Sequence, residues 1–346
     1  MNAVLDIRDL HVQYRGAPPV RAVDGVDLRV GSGETVALVG ESGCGKSTTV
    51  RSILRLLSPT ASITGGGVYL GEQELTGMKE KQLRRVRWRD VSFIPQQALN
   101  SLDPVYRVEA QIVEVLRAHG TMTRREARAR TAELFRLVGI GSDRLKSYPH
   151  ELSGGMRQRV VIAMALALHP KLVIADEATT ALDVITQRRI LTEVRAMQRE
   201  LGFGMLYVSH DIGVVAQISD RIAVMYAGKI VEDGPAASVL GTPSHPYTMA
   251  LKYACPDVRQ RRPVVSISGY PPSLAEPPIG CRFANRCPFA TTKCVAEAPP
   301  LLAVGGDWRV ACHYTERAHE FREQASRVEL WERDTEIGPS VKTAAI

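Results

Sequence analysis

One eight-residue stretch, Gly40-Glu41-Ser42-Gly43-Cys44-Gly45-Lys46-Ser47, constrains this chain more than any other. It follows the apolar, β-branched run Thr35-Val36-Ala37-Leu38-Val39 directly and opens the helix-like segment Ser47 to Leu57. Gly40, Gly43 and Gly45 let successive N–H groups curl around a phosphate, and a helix start behind them adds a favourable dipole. Lys46 can then reach the β- and γ-phosphates of a nucleotide and Ser47 can ligate Mg²⁺, with Ser42, Cys44 and Thr48 completing the lining. Cys44 reads as a tolerated small residue rather than a redox switch. A strand that ends in such a loop and continues as a helix belongs to a layered α/β fold.

The surrounding chain agrees. From about residue 4 to 240, short apolar runs alternate with amphipathic segments, the pattern of strands feeding crossover helices. Residues 122–139 place Ala127, Leu134, Leu137 and Val138 among many Arg and Glu, which predicts an amphipathic helix in an inserted helical lobe. Beyond residue 240 the texture changes, because Pro243, Pro246, Pro256, Pro263, Pro271, Pro272, Pro277 and Pro278 break any long element. The expected organisation is an α/β nucleotide-binding domain over 1–240 with a helical subdomain at about 98–160. A small irregular Cys-rich domain over 241–320 and a charged tail over 321–346 follow, the tail beginning as a helix from Thr315.

Several function classes can be set aside. No stretch approaches the roughly 18 apolar residues that cross a bilayer; the longest strong run is Val160 to Leu168. Asp6, Arg8 and Asp9 interrupt the N-terminal stretch where a signal peptide needs an apolar core, so a cytoplasmic location is expected. Net charge is +7, and the dense run Lys79 to Arg89 reads as a solvated basic helix rather than a nucleic-acid face. Six Cys are too few and too uneven for a secreted disulfide scaffold, yet four crowd into Cys281 to Cys312 and suggest a metal site.

A second apolar run, Leu172-Val173-Ile174-Ala175, delivers Asp176 and Glu177 to the end of a buried strand, where α/β sheets hold ligands. One acid can hold Mg²⁺ through its water shell while its neighbour orients or deprotonates an attacking water. Just upstream lies Leu152-Ser153-Gly154-Gly155-Met156-Arg157-Gln158-Arg159, whose Ser and two Gly offer N–H groups and a helix dipole to another phosphate. With these motifs in this order, the chain resembles the ATP-binding-cassette (ABC) ATPases. The resemblance implies that Ser153, Gly154 and Gly155 face the γ-phosphate held by a partner subunit, in a head-to-tail dimer of two such ATPases.

Further positions match the family one at a time. Gln96, in Phe93-Ile94-Pro95-Gln96, resembles the loop glutamine that senses Mg²⁺ and water and links to the permease, with Gln97 adjoining it. Ala181-Leu182-Asp183 resembles the loop that crosses the dimer interface, Thr180 standing where Ser is usual. His210, 33 residues past Glu177, resembles the histidine that contacts the γ-phosphate, and Tyr14 the aromatic that stacks on adenine. Since Glu177 and His210 are both present, the resemblance implies a catalytically competent ATPase rather than a silent subunit. It also implies two transmembrane permease subunits, an extracytoplasmic solute-binding protein, a peripheral position on the cytoplasmic membrane face and no nucleic-acid partner.

Within the family, Ser101-Leu102-Asp103-Pro104, Tyr148-Pro149-His150-Glu151 and His245-Pro246-Tyr247-Thr248-Met249-Ala250-Leu251 resemble the ATPases of oligopeptide and dipeptide importers. Similar relatives import nickel, glutathione or other small solutes, so peptide is the leading expectation among these; a soluble cassette acting on ribosomes or DNA is a further alternative, and one compact cassette followed by the importer-type tail argues against it. The tail spacing Cys281-x5-Cys287-Pro288-x5-Cys294-x17-Cys312 lacks the tight Cys pair of most zinc sites. It resembles iron–sulfur ligation, which in the importer group is a [4Fe–4S] cluster; zinc and unliganded thiols are the alternatives, with His313 a possible substitute for Cys312. A group bound there would supply folding energy to a tail with little apolar mass.

Overall fold

The computed structural model describes residues 3–96, 98–178, 182–255 and 264–332. The chain begins β1 (Ala3–Tyr14), β2 (Val20–Gly31), β3 (Thr35–Val39), α1 (Lys46–Ile53), β4 (Ala61–Leu70), β5 (Gln73–Glu74), α2 (Glu80–Val86) and β6 (Val91–Ile94). Three helices follow, α3 (Val108–His119), α4 (Arg124–Leu137) and α5 (Gly154–Ala165). Next come β7 (Leu172–Asp176), α6 (Val184–Leu201), β8 (Gly204–Ser209), α7 (Ile212–Ile218), β9 (Arg221–Tyr226), β10 (Lys229–Pro235) and α8 (Ala236–Gly241). The C-terminal part contains α9 (Pro246–Ala254), α10 (Thr292–Ala296), β11 (Leu302–Gly305), β12 (Trp308–Val310), α11 (Ala318–Ala325) and α12 (Val328–Trp331).

Two sheets carry the fold. A four-stranded antiparallel sheet has the order β2-β1-β4-β5, and an eight-stranded sheet the order β11-β12-β10-β9-β3-β8-β7-β6. The run β9-β3-β8-β7-β6 is parallel. Its strands are buried on both faces, which is why they read as unbroken apolar runs. The two-residue alternation of a strand splits them between two cores. Val36, Leu38, Leu172, Ile174, Leu206 and Val208 pack with α1 and the four-stranded sheet. Ala37, Val39, Val173, Ala175, Met205 and Tyr207 pack with the helices on the other side.

The helical segment is α3, α4 and α5. Thr123 caps α4 by accepting from the Glu126 N–H, and Glu126 accepts from the Thr123 N–H in return, which sets the start of the helix at Arg124. The apolar run from Val160 lies in α5, buried around most of its circumference instead of facing lipid. The basic stretch forms a helix only to Val86, because Arg87 is in extended conformation and its guanidinium donates to the Leu54 carbonyl and to Glu80.

The C-terminal part departs from the expected separate irregular domain. Strand β12 pairs antiparallel with β10, extending the main sheet, and β11 pairs outside it. Phe283, Phe321 and Trp331 join the same hydrophobic cluster as Tyr226 and Tyr247. A buried carboxylate fastens this junction: Glu232 accepts from the N–H groups of Ser244 and His245 and from Trp308 Nε1, at 2.8, 2.9 and 3.0 Å. A segment too poor in apolar residues to build its own core borrows that of its neighbour. Of the charged tail, α11 and α12 are helical and residues 333–346 lie outside the described residues.

Candidate nucleotide-binding site

The phosphate loop leaves β3 at its carboxyl end and enters α1 at Lys46. Two glycines are required by close approach as well as by backbone angle. Gly40 has φ 154°, and a Cβ there would sit 2.1 Å from the Met225 carbonyl oxygen; Gly45 has φ 109° and meets the Ala22 carbonyl oxygen at 2.2 Å. Gly43, at φ 79°, turns between them. Lys46 is buried, and its ammonium donates to the carbonyls of Gly40 and Glu41 at 2.7 and 2.8 Å, bracing the loop from within. Cys44 is buried beside it, with its thiol pKa pushed up by burial. Ser42 lies in the loop itself. The Tyr14 hydroxyl meets Thr48 Oγ1 at 3.2 Å, which puts this aromatic beside the first turn of α1.

Four strands deliver the remaining polar groups to the same end of the sheet. Ser47 Oγ donates to Asp176 Oδ1 at 3.3 Å across the gap between α1 and β7. Asp176 is 1% exposed, and burial raises its pKa more than the Ser47 hydrogen bond lowers it. Its Oδ2 has no hydrogen-bond partner among the described residues. A buried, orphaned carboxylate oxygen next to a serine hydroxyl suits a divalent cation with its water shell. Glu177 adopts φ 48°, an uncommon value for a side chain of its size, while its N–H is held by the Val208 carbonyl at 3.0 Å. Its carboxylate is spanned by two groups: Gln96 Nε2 donates to one oxygen at 2.8 Å, and His210 Nδ1 lies 2.9 Å from the other.

Ser47, Gln96, Asp176, Glu177 and His210 therefore converge although the sequence spreads them over more than 160 positions. The signature segment packs against the start of α6. Ser153 caps α5, its hydroxyl accepting from the Met156 N–H, and the α-carbons of Gly154 and Gly155 lie close to Leu182 and Thr186. Asp183 caps α6 by accepting from the Thr186 N–H at 2.9 Å. The signature and the Asp183 loop thus form a joint surface, while Gln97, Thr180 and Ala181 lie outside the described residues.

Sequence reasoning missed the partners of Glu41 inside the loop. Its carboxylate pairs with Arg286 and its N–H donates to the Tyr247 hydroxyl. A basic residue directly before Cys287 was the available signal, but nothing in the sequence connects positions 245 apart.

A second cluster lies in the C-terminal part. Cys281, Cys287, Cys294 and Cys312 line one cavity with Phe283, Phe289 and Phe321. All six Cys are free thiols. Burial pushes Cys281 up to about 11 and Cys312 to about 12, and raises Cys287 well above its ordinary value. Backbone N–H groups point at sulfur: those of Phe283 and Ala284 at Cys281, Phe289 at Cys287, and Tyr314 at Cys312. The thiols are not drawn together as a ready ligand set, since among the described residues no group of three or more His, Cys, Asp or Glu could hold a metal ion. His313 also lines this cavity, with Nε2 donating to the Glu297 carbonyl at 2.9 Å.

Fold and site together define a nucleotide-binding cassette of the phosphate-loop class. The ABC transporter family model matches residues 23–180, and the model for the C-terminal region of oligopeptide/dipeptide transporters matches 231–294. A probable peptide ABC transporter ATP-binding protein of Sinorhizobium fredii is 46% identical over 315 residues, covering 89% of this chain and 94% of that protein. The dipeptide transport ATP-binding protein of Bacillus subtilis is 44% identical over 299 residues, covering 85% and 89%. Among solved structures, a dimeric ATP-binding cassette in a post-hydrolysis state, bound to ADP and Pi, superposes with TM-score 0.60 and 28% identity, over 67% of this chain and 98% of that one. The chain belongs to the ABC transporter family, in its oligopeptide/dipeptide ATP-binding branch.

Proposed function

We propose that this chain is the ATP-hydrolysing subunit of an importer that energises uptake of di- and oligopeptides. The observation that carries the reading is the carboxylate of Glu177, spanned by Gln96 and His210 and set one residue beyond Asp176 at the mouth of the phosphate loop. The loop N–H groups and Lys46 hold the β- and γ-phosphates of ATP, Tyr14 takes the adenine, and Glu177 orients the attacking water and accepts its proton. His210 and Gln96 fix the orientation of that carboxylate. Ser47, Asp176 and Gln96 would hold Mg²⁺, which neutralises charge on the phosphates when bound.

Hydrolysis couples to transport through a dimer. Ser153, Gly154 and Gly155, at the start of α5 near Leu182 and Thr186, present α5's N-terminal N–H groups to the nucleotide of a second cassette, identical or homologous. The cassette spans 1–240 with a helical subdomain at about 98–160, and 241–320 forms the transporter-type C-terminal region. No helix among the described residues is long and apolar enough to cross a membrane, so the pathway for solute belongs to two permease subunits, with this chain peripheral on the cytoplasmic face and a solute-binding protein opposite. Peptide is favoured over nickel or glutathione by the C-terminal region match and by relatives named for peptide and dipeptide transport.

The four cysteines would be the ligands of a [4Fe–4S] cluster, zinc being the alternative, once their side chains turn toward one another, since in this conformation they form no ready ligand set. Four sulfurs on one cavity, three of them approached by backbone N–H donors, support this reading, and the bound group would tie together a segment with little core of its own. The test is purification from native membranes, with mass spectrometry of the co-eluting proteins, an iron and zinc assay, and ATP-driven peptide uptake by the reconstituted complex. Two polytopic permeases and peptide uptake are expected; ribosomal or DNA-repair proteins in their place would sink the transport reading.

A further inference from the structure

Glu41 is held at three of its groups. Its N–H donates to the Tyr247 hydroxyl at 2.8 Å, its carbonyl accepts from Lys46 Nζ at 2.8 Å, and its carboxylate takes both terminal nitrogens of Arg286 at 2.8 and 3.1 Å. Arg286 is itself aimed, donating to the Tyr226 hydroxyl at 3.1 Å. The Arg286 side chain is 6% exposed and Tyr247 fully buried, so these are fixed, partly desolvated contacts rather than a mobile surface pair. Two of the three holds come from the C-terminal part. The segment between Cys281 and Cys287 also grips the floor of the loop, because Arg282 donates to the Ala227 carbonyl and pairs with Asp24, while the neighbouring Gly228 N–H donates to the Cys44 carbonyl.

A phosphate loop binds through the direction of its N–H groups, and glycine permits many directions without choosing among them. Gly40 stands next to Glu41, so the backbone itself would let the intervening peptide rotate and redirect the loop, and only the contacts on it resist: Lys46 on the Gly40 carbonyl, Tyr247 on the Glu41 N–H. Contacts on Glu41 supply the choice. We propose that Arg286, assisted by Tyr247, is a positioning residue for ATP: the C-terminal part completes the phosphate loop, and ATP affinity depends on the docking of the segment that carries Cys281 and Cys287. The inference rests on the reading of this loop as the ATP site.

The experiment uses the full chain and titrates a fluorescent ATP analogue against wild type, Arg286→Gln, Glu41→Gln and the double variant, with ATPase kinetics and thermal midpoints on the same preparations. Arg286→Gln is expected to raise the Kd and the KM for ATP about tenfold and to change kcat less than about twofold, because the groups around Glu177 are untouched. Glu41→Gln should behave alike, and the double variant should be no worse than the weaker single. A lowered thermal midpoint with wild-type Kd and KM would mean that the pair merely glues the C-terminal part on, and would overturn the inference. A double variant whose loss is the product of the single losses would overturn it too. If Arg286→Gln does not fold, Tyr247→Phe carries the test, with a two- to threefold rise in Kd expected (about half a kcal/mol by RT ln K) and an unchanged Kd contradicting. A wild-type chain that fails to bind ATP would sink the reading of the loop itself, a result distinct from all of these.

Discussion

The two clusters of this molecule, one open at the sheet edge and one enclosed in the C-terminal part, answer opposite physical demands. At the sheet's carboxyl edge, polar groups are crowded: a 1%-exposed aspartate with an orphaned oxygen, a carboxylate spanned by two side chains, and a lysine buried among carbonyls. In the C-terminal cavity the lining is aromatic and sulfur, and burial keeps Cys281, Cys287 and Cys312 protonated well above the usual thiol range. The first site is built to meet charge that arrives and leaves with each nucleotide. The second is a dry pocket whose thiols keep their protons and, among the described residues, form no group that could hold a metal ion. A site rebuilt every cycle must be preorganised by its own scaffold, whereas a dry pocket is held by burial and packing.

That contrast can be broken at several points. The largest effect is expected for Lys46→Ala, which removes the cation of the phosphate loop and should weaken ATP binding about a hundredfold in a nucleotide titration; a tenfold loss or less would place the phosphates elsewhere. Asp176→Asn should raise the Mg²⁺ concentration for half-maximal ATPase activity by about tenfold, with a smaller effect on nucleotide binding without the metal. If the proposed cluster forms, Cys287→Ser should strip iron or zinc from the purified protein and lower its thermal midpoint, leaving the arrangement around Glu177 to turn over ATP. Full metal content in that variant would remove Cys287 from the ligand set.

The remaining prediction concerns pH and stability rather than binding or turnover. His245 is fully buried, accepts from the Tyr247 N–H through Nδ1, and is pushed down to about 3 by burial. The unfolded chain takes up a proton on this ring below its ordinary 6.5, and the folded chain does not until about 3. The stabilisation is therefore complete above 6.5 and is lost as pH falls through that window, at up to about 1.4 kcal/mol per pH unit. Denaturant titrations from pH 7 to 4 should show this slope in wild type and a shallower one in His245→Asn.

The legible part of the molecule was the part built from local chemistry. Strand β3, the loop, β7 and Asp176 could all be read because each is a short run whose own residues dictate its shape, and the family resemblance tied them to Gln96 and His210. What escaped was built from distance. Nothing in Leu302 to Val310 predicts that it would extend the main sheet, since Leu302, Ala303 and Val304 are exposed and the pairing is set by β10. Arg286 looks like any surface base in a Pro-rich tail until folding sets it against Glu41. Helix α4 was visible as the amphipathic pattern over residues 122–139, but the early end of α2 depended on the Leu54 carbonyl, which draws Arg87 out of the helix.

Glu177 is the group on which the proposed hydrolysis depends most. The most direct measurement is ATP turnover by Glu177→Gln, which keeps the hydrogen-bonding shape beside Gln96 and His210 but cannot accept a proton. Turnover should fall by about a hundredfold or more while ATP affinity stays near that of wild type; turnover close to wild type would show that this carboxylate does not carry the chemistry.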